Sequence, residues 1–206
     1  MKLKDSRWPD VKGSRVVTIT GSLEQHGPHL PLSTDTLIAE AVAEKVAVEV
    51  GAVLGPTIPV GVSPEHMSFP GTVSLKPDTF KSVVEEVVES LRRQGFAEII
   101  IINGHGGNNK ALEELNIDVK AVNLTSLLER YDHAGEVETS LMMHLHPELV
   151  KEDEIREHEF RWPGRGEWKD TKEFSESGVL GDPTRATSEK GSELFRQLAE
   201  RALASM

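Results

Sequence analysis

The strongest constraint on the fold is a run of four isoleucines, Ile99 to Ile102, directly after the clearest helical pattern in the sequence. A strand that is apolar at every position is typically covered on both faces. The preceding helix is predicted to open near Pro77, with Asp78 as its cap, and to stop at Gly95. Its predicted buried stripe consists of Val83, Val84, Val87, Val88 and Leu91.

The same alternation of strands and helices extends along the chain. Apolar spacing and turn residues predict strands at 15–20, 52–61 and 119–124, and helices at 35–50, 111–115, 136–145 and 188–204. Ser33, Thr34 and Asp35 offer capping oxygens for the first of these helices. Alternating elements predict an α/β fold, a three-layer α/β/α domain with a mostly parallel central sheet. We expect residues 1–206 to form a single domain.

Composition narrows the chemistry before any motif is considered. The chain has no cysteine, so a metal site would have to use His, Asp and Glu, and a cysteine nucleophile is excluded. The net charge of -11 argues against a nucleic-acid partner. No segment approaches the roughly 20 apolar residues of a membrane span, and the N-terminal residues lack the apolar core of a signal peptide. We therefore expect a cytoplasmic protein.

Three polar clusters follow predicted strands. The first is EQHGPH at residues 24–29, with Asp35 nine positions after His26; the second is NGHGGN at 103–108, and the third is HAGEVETS at 133–140. Half of the eight histidines lie in these loops. The carboxyl ends of parallel strands share one edge of a sheet, where ligands usually bind, so we expect the clusters to meet.

The first cluster has the composition of a metal site. Glu24 and His26 are two residues apart, so an extended backbone directs both side chains to the same side. Asp35 is expected at a helix start, where the helix dipole favours its charged form. Histidine with carboxylates suits zinc, manganese or iron. A loop salt bridge and a helix cap are the alternative explanation for these residues.

The second cluster places His105 at the tip of the four-isoleucine strand. Gly106 and Gly107 allow a ligand to approach the backbone closely, or they could form an anion-binding turn before the next helix. Ser63 and His66 belong to a turn-rich loop on the same predicted edge, which either lines a pocket or simply shapes the loop. The candidate substrate contacts are Ser63, His66, Gly106, Gly107 and Asn108.

The third cluster combines His133 with Glu136 and Glu138. If this stretch enters a helix, His133 and Glu136 are helical neighbours, while Glu138 points elsewhere. A histidine beside a bound water can transfer protons, because its pKa lies near neutral pH. A loop histidine with a structural role is the alternative.

Taken in order, these motifs resemble the creatininase (creatinine amidohydrolase) family. The resemblance lies in EQHGPHLPL, TDT, FPGT, NGHGGN and HAGxxETS, and it runs from about Thr20 to Ala186. Several ordered motifs are far more specific than any one of them. The family implies a three-layer α/β/α domain, a binuclear metal site and assembly as a homo-oligomer, usually a hexamer.

The resemblance also implies roles for individual residues and two divalent metal ions per subunit (Zn, Fe or Mn). Glu24 would bind one ion, His26 the other, and Asp35 would bridge them. His105 would complete the shell of the first ion, and His133 would be the catalytic proton-transferring residue. Two cations at such a site hold a hydroxide and polarise the carbonyl under attack.

The sequence departs from creatininase at two places. Creatininase carries Tyr and Glu directly after the metal-binding His, and that Glu is a ligand, whereas Gly106 and Gly107 stand here. We therefore assign the fifth ligand, and a catalytic carboxylate, to Glu138. A Trp of creatininase shortly before its catalytic His has no counterpart within residues 129–131. Both differences argue against creatinine as the substrate.

The GHGGN form resembles archaeal formamidopyrimidine deformylases and the creatininase-like peptidase of mycofactocin maturation. The leading hypothesis is therefore hydrolysis of a non-peptide C–N bond in a small molecule, specifically deformylation of a formamidopyrimidine ribonucleotide in flavin or deazaflavin biosynthesis. Its phosphate would need a cationic side chain, and the candidates are Arg161, Arg165 and Arg185. The alternatives are creatinine hydrolysis, a mycofactocin-type peptidase and a non-catalytic metal-binding assembly protein.

Overall fold

The computed structural model describes residues 1–161 and 169–206, and its centre is a sheet of four parallel strands. In their order across the sheet, the strands are β2 (Val53–Ile58), β1 (Arg15–Thr20), β3 (Glu98–Asn103) and β4 (Lys120–Asn123). Every pairing between these strands is parallel, so their carboxyl ends share one edge of the sheet. The predicted parallel sheet is confirmed.

Five helices cover the two faces of this sheet: α1 (Thr34–Glu49), α2 (Pro77–Arg93), α3 (Asn109–Glu113), α4 (Glu136–Leu145) and α5 (Ser188–Ala204). Ile100 and Ile102 pack in one apolar cluster with α1, α4 and α5. Ile99 and Ile101 pack in the other with α2 and α3. Because side chains alternate along a strand, the four isoleucines of β3 supply both cores. The three-layer α/β/α fold is therefore confirmed.

The prediction of side-chain caps at the start of α1 is wrong. Ser33 occupies the cap position without a side-chain hydrogen bond, and the Thr34 hydroxyl donates to the carbonyl of Pro31 at 2.7 Å. The carboxylate of Asp35 instead lies 2.8 Å from Nδ1 of His105. The oxygen predicted to cap the helix therefore faces the polar edge of the sheet.

The predicted buried face of α2 includes valines that the structure does not bury fully. Val83 is 36% exposed, because it lies on the margin of the face that meets the sheet. Asp78 makes no capping bond, and its carboxylate pairs with Lys81 at 3.0 Å. The buried face of α2 consists of Phe80, Val84, Val88 and Leu91.

No helix within residues 1–161 and 169–206 combines the length and the apolar character that crossing a bilayer requires. The longest two helices, α2 and α5, each have 17 residues. Both are amphipathic and bury only one face, as surface helices of a globular core do.

Close packing of α5 on α4 leads to a prediction about Gly191. A Cβ atom at this position would lie 1.9 Å from the carbonyl oxygen of Ser140 in α4. Replacing glycine by alanine inside a helix ordinarily stabilises it by about 1 kcal/mol. We expect the opposite for Gly191→Ala, a loss of about 1–3 kcal/mol in the free energy of unfolding, measured by denaturant titration.

The matched control is Ser192→Ala, one position along the same helix and exposed. It should change the free energy of unfolding by less than about 0.5 kcal/mol. Equal effects of the two substitutions would contradict the packing of α5 against α4.

Candidate metal centre

Five polar side chains converge where the strands end. Glu24 and His26 lie in the loop after β1, Asp35 in the first turn of α1, His105 directly after β3, and Glu138 in the first turn of α4. All five are buried. Residues from distant parts of the sequence therefore share one site at the carboxyl edge of the sheet, as the parallel topology predicts.

The carboxylate of Asp35 lies at the centre of this cluster. Its Oδ2 is 2.8 Å from Nδ1 of His105, and its Oδ1 is 3.2 Å from Nε2 of His26. The Ser22 hydroxyl donates a further hydrogen bond to Oδ2 at 2.9 Å. The two carboxylate oxygens therefore face different histidines, which is the arrangement that a bridging carboxylate needs.

Among the described residues, three overlapping groups of potential ligands occur at the site, and one of them consists of Glu24, His66 and His133. Donor atoms of Glu24, Asp35 and His105 lie within 4.8 Å of one another, and the same holds for His26, His133 and Glu138. Within these groups, Oε2 of Glu24 lies 3.3 Å from Nε2 of His105, and Oε2 of Glu138 lies 3.5 Å from Nε2 of His26. Separations of this size leave room for a cation between the donor atoms.

The electrostatics of the buried carboxylates fit divalent cations. Burial raises the pKa of Glu24 to about 7 against the opposing charge of His105, and it also raises the pKa of Glu138. Oε2 of Glu24 has no hydrogen-bond partner among the described residues, because its contact with His105 lacks hydrogen-bonding geometry. Buried carboxylates in such surroundings require positive charge, which a metal ion supplies.

The histidines of the cluster fall into two electrostatic classes. Burial opposes charge on His26 and His105, but neighbouring carboxylates outweigh it and raise both pKa values, that of His105 to about 10. Burial and the charge of His26 hold the pKa of His133 well below its usual range. A bound cation would displace protons from the first class, whereas His133 is neutral and can accept one.

His133 forms a stacked pair with His66. Their ring centroids are 4.5 Å apart and the planes differ by 16°. The amide Nε2 of Gln25 lies 2.9 Å from Nδ1 of His66 and 2.8 Å from Nε2 of His133. Gln25 Oε1 accepts from the backbone N–H of Gly27, and Gln25 Nε2 donates to the carbonyl of Gly178, which together define the orientation of the amide. One glutamine thus holds both imidazoles.

The predicted substrate contacts occupy different places. His66, Gly106 and Gly107 line the cavity above the cluster. Ser63 is buried, and its hydroxyl lies 3.2 Å from Nε2 of His105. The side chain of Asn108 does not reach the cavity, because its amide is engaged by backbone groups of the loops after β1 and β2. Asn108 therefore braces these loops.

Gly107 leaves no room for the carboxylate that creatininase carries at this position. A Cβ atom there would lie 2.2 Å from the carbonyl oxygen of Val62 and 2.4 Å from Nε2 of His105. The carboxylate that approaches His26 comes from Glu138 instead. This geometry supports Glu138 as the fifth ligand.

The prediction that His133 and Glu136 are helical neighbours is wrong. α4 begins at Glu136, and His133 precedes it in a short antiparallel bridge with Leu180. Glu136 faces outward and pairs with Lys190 at 2.6 Å. Glu138 turns inward, where its Oε2 accepts a hydrogen bond from the N–H of Ala134.

The cavity above the cluster has a volume of about 410 Å³. Besides the residues already described, its walls include Glu65, Thr125, Tyr131, Asp132 and Leu180. Glu65 lies between Ser63 and His66 in the turn-rich loop expected on this edge, whereas the sequence carried no periodic or motif signal for the other four. The hydroxyl of Tyr131 is buried without a hydrogen-bond partner among the described residues, and an unpaired polar group of this kind costs about 1–3 kcal/mol.

Two of the three cations proposed for a substrate phosphate, Arg161 and Arg185, lie away from this cavity. The Arg161 guanidinium packs over the ring of Phe174 at 5.6 Å. Arg185 lies 3.6 Å from the carboxylate of Glu136, on the outer side of α4. Arg165 falls outside the described residues. The side chains of the two described arginines are thus engaged elsewhere.

A parallel α/β sheet whose carboxyl edge carries a buried cluster of histidines and carboxylates has the residue types that could hold divalent metal ions at the usual ligand-binding edge. The chain belongs to the creatininase family, since the family model described as creatinine amidohydrolase matches residues 4–206. The predicted family and the predicted class, a hydrolase of carbon–nitrogen bonds, are therefore confirmed.

The chain is also similar to individual members of the family. It is 36% identical over 203 residues to a mycofactocin precursor peptide peptidase of Mycolicibacterium smegmatis, covering 89% of this chain and 80% of the relative. It is 29% identical over 175 residues to a 2-amino-5-formylamino-6-ribosylaminopyrimidin-4(3H)-one 5'-monophosphate deformylase of Methanococcus maripaludis, covering 81% and 69%. Deformylation, our leading hypothesis from the sequence, is not confirmed; the peptidase alternative fits better.

Solved structures support the same assignment. A creatininase described as the Zn-Zn type superimposes with a TM-score of 0.84 at 25% identity, covering 98% of this chain and 95% of that one. A creatininase described as the Mn form gives a TM-score of 0.83 at 25% identity, with 98% and 96% covered. The likeness extends over nearly the whole of both chains.

The different surroundings of Glu136 and Glu138 provide a test of the ligand set. Glu138→Gln removes a buried carboxylate beside His26, so we expect the affinity for divalent metal to fall at least about 10-fold. Metal content per chain after loading and dialysis, read by plasma mass spectrometry, measures this loss.

Glu136→Gln is the matched control, because it makes the same change two residues earlier on the outer face of α4. Its metal content should equal that of the unsubstituted protein. A Glu138→Gln protein that retains its full metal content would exclude this carboxylate from the ligand set.

Proposed function

We propose that the protein is a metal-dependent hydrolase that cleaves an amide bond in a short peptide. The similarity to a precursor peptide peptidase, at 36% identity over 89% of the chain, carries this proposal. The cavity walls support it: Glu65 adds a carboxylate beyond the proposed ligands, and Asp132 adds a carboxyl group whose pKa burial and the neighbouring Glu138 raise to about 7. Carboxylates at these positions repel a substrate phosphate, whereas a peptide can present amide and ammonium groups to them.

The proposed metal ligands form two sets that share Asp35. Glu24, Asp35 and His105 would hold one divalent ion, and His26, Asp35 and Glu138 would hold the second. Zinc and manganese are the first candidates, since similar structures contain them, and iron suits the same ligands. When bound, such ions supply Lewis acidity to the substrate carbonyl and lower the pKa of water.

We propose that His133 transfers a proton from the attacking water to the departing nitrogen. It is neutral, lies at the cavity and is held by Gln25 within reach of the ligand Glu24, with Nδ1 of the histidine 3.8 Å from the carboxylate. During hydrolysis the oxygen of water bonds to the carbonyl carbon, the C–N bond breaks, and one proton passes from water to the departing nitrogen. His133 can accept that proton and then release it to the amine.

The homo-oligomer and the hexamer implied by the family resemblance remain proposals. Exposed apolar side chains support an association surface, among them Trp8 at 88% and Val48 at 77% exposure.

A hydrolysis panel tests the substrate class. Short synthetic peptides of mixed sequence, creatinine and the formamidopyrimidine ribonucleotide would each be incubated with protein loaded separately with Zn, Mn or Fe. We expect peptide fragments, detected by mass spectrometry, as the main product. Release of formate from the ribonucleotide without peptide cleavage would overturn the proposal in favour of deformylation.

Replacement of His133 tests the mechanism separately from the substrate. His133→Ala should lower kcat by about 10²–10⁴-fold, the range usual for a general acid–base residue, and should leave metal content unchanged. His146→Ala is the matched control, because this half-exposed histidine at the end of α4 pairs with Glu148 and faces away from the cavity. Turnover by His133→Ala within about two-fold of the unsubstituted rate would reject the assigned role.

A further inference from the structure

The cavity contains a polar group that the mechanism above does not use. Tyr131 lies two residues before His133, and its ring forms part of the wall that also includes Asp132 and Glu138. Its hydroxyl is buried and has no partner among the described residues. Buried hydroxyls are nearly always hydrogen-bonded, so an unpaired one in the wall of a site points to a ligand that completes it.

The surroundings determine which role this hydroxyl can take. A tyrosine hydroxyl has an ordinary pKa of about 10, so it is protonated at neutral pH. A protonated phenol donates a hydrogen bond. Because no described residue accepts this hydrogen bond, the donor is available to an acceptor on the substrate.

We infer that the hydroxyl of Tyr131 donates a hydrogen bond to the acyl oxygen of the amide that is cleaved. This inference rests on the proposed amide hydrolysis. Among the atoms of the scissile group, the acyl oxygen gains negative charge as water adds, so a donor aimed at it stabilises the transition state more than the bound substrate. The departing nitrogen needs a complete proton instead, which a firmly protonated phenol supplies poorly and His133 supplies well.

The composition of the chain makes this residue accessible to experiment. Tyr131 is the only tyrosine among the 206 residues. A label placed on tyrosine is therefore carried by this one residue, and no other tyrosine contributes to the signal.

Tyr131→Phe removes the hydroxyl and keeps the ring. With the peptide that the unsubstituted protein cleaves, we expect kcat to fall about 10²-fold or more and KM to change by less than about three-fold, as for loss of one oxyanion donor. Metal content and Tm should not fall, because the hydroxyl has no hydrogen-bond partner among the described residues to lose. A kcat within about two-fold of the unsubstituted value would overturn the inference.

A fluorine label provides a second measurement that does not depend on turnover. Protein grown with 3-fluorotyrosine carries one fluorine resonance, and the His133→Ala background prevents cleavage while the peptide binds. We expect the resonance to shift when the peptide is added to this metal-loaded protein. An unchanged resonance at saturating peptide would also overturn the inference.

The two experiments distinguish a failure of the proposed peptide hydrolysis from a failure of the role assigned to Tyr131. If the unsubstituted protein cleaves no peptide under any metal, the proposed function fails, whatever Tyr131 does. If it cleaves peptide and Tyr131→Phe cleaves it equally well, only the role of Tyr131 fails.

Discussion

The contact of the Asp35 carboxylate with His26 on one side and His105 on the other is the interaction on which the rest of the site depends. It requires the first turn of α1 to lie against the ends of β1 and β3. Gly104 allows this approach, since a Cβ atom there would lie 2.3 Å from the carbonyl oxygen of Asp35. A glycine directly after β3 is therefore needed for packing as well as for ligand access.

The last part of the chain also shapes the site, although it supplies none of the proposed ligands. Gly178 adopts a φ of +83°, and a Cβ atom there would lie 1.9 Å from Oε1 of Gln25. The hydroxyl of Thr171 lies 3.0 Å from Nδ1 of His66. The segment after residue 169 thus contacts both His66 and Gln25, the residue that lies against both paired histidines.

The proposed metal ligands and the other residues that line the cavity lie in different parts of the fold. The proposed ligands lie on strand ends and helix starts, which the sheet positions rigidly, and this geometry suits the chemistry of the whole family. The walls of the cavity come from irregular segments, where Glu65, Tyr131 and Asp132 lie. Substitution there changes what can bind without disturbing the sheet, so the substrate is decided by residues that family membership alone does not specify.

The layers of the fold and most residues of the polar cluster could be predicted from the amino-acid sequence alone. The bounds of β1 and α5 were predictable to the residue, because an apolar run and a helical period are local properties. The ordered motifs also placed Glu24, His26, Asp35 and His105 at one edge, since parallel strands leave no other place for the loops that follow them.

The directions in which the side chains between and around those motifs point could not be predicted and depend on the folded arrangement. Glu136 and Glu138 are the same residue type, yet Glu136 pairs with Lys190 outside and Glu138 approaches His26 inside, because residues two apart on a helix point to different sides. In the sequence, Gln25 is simply the residue between the proposed ligands Glu24 and His26. Its contacts with His66 and His133 are seen only in the folded chain. Contacts between irregular segments depend on the relative placement of whole elements, which local periodicity does not encode.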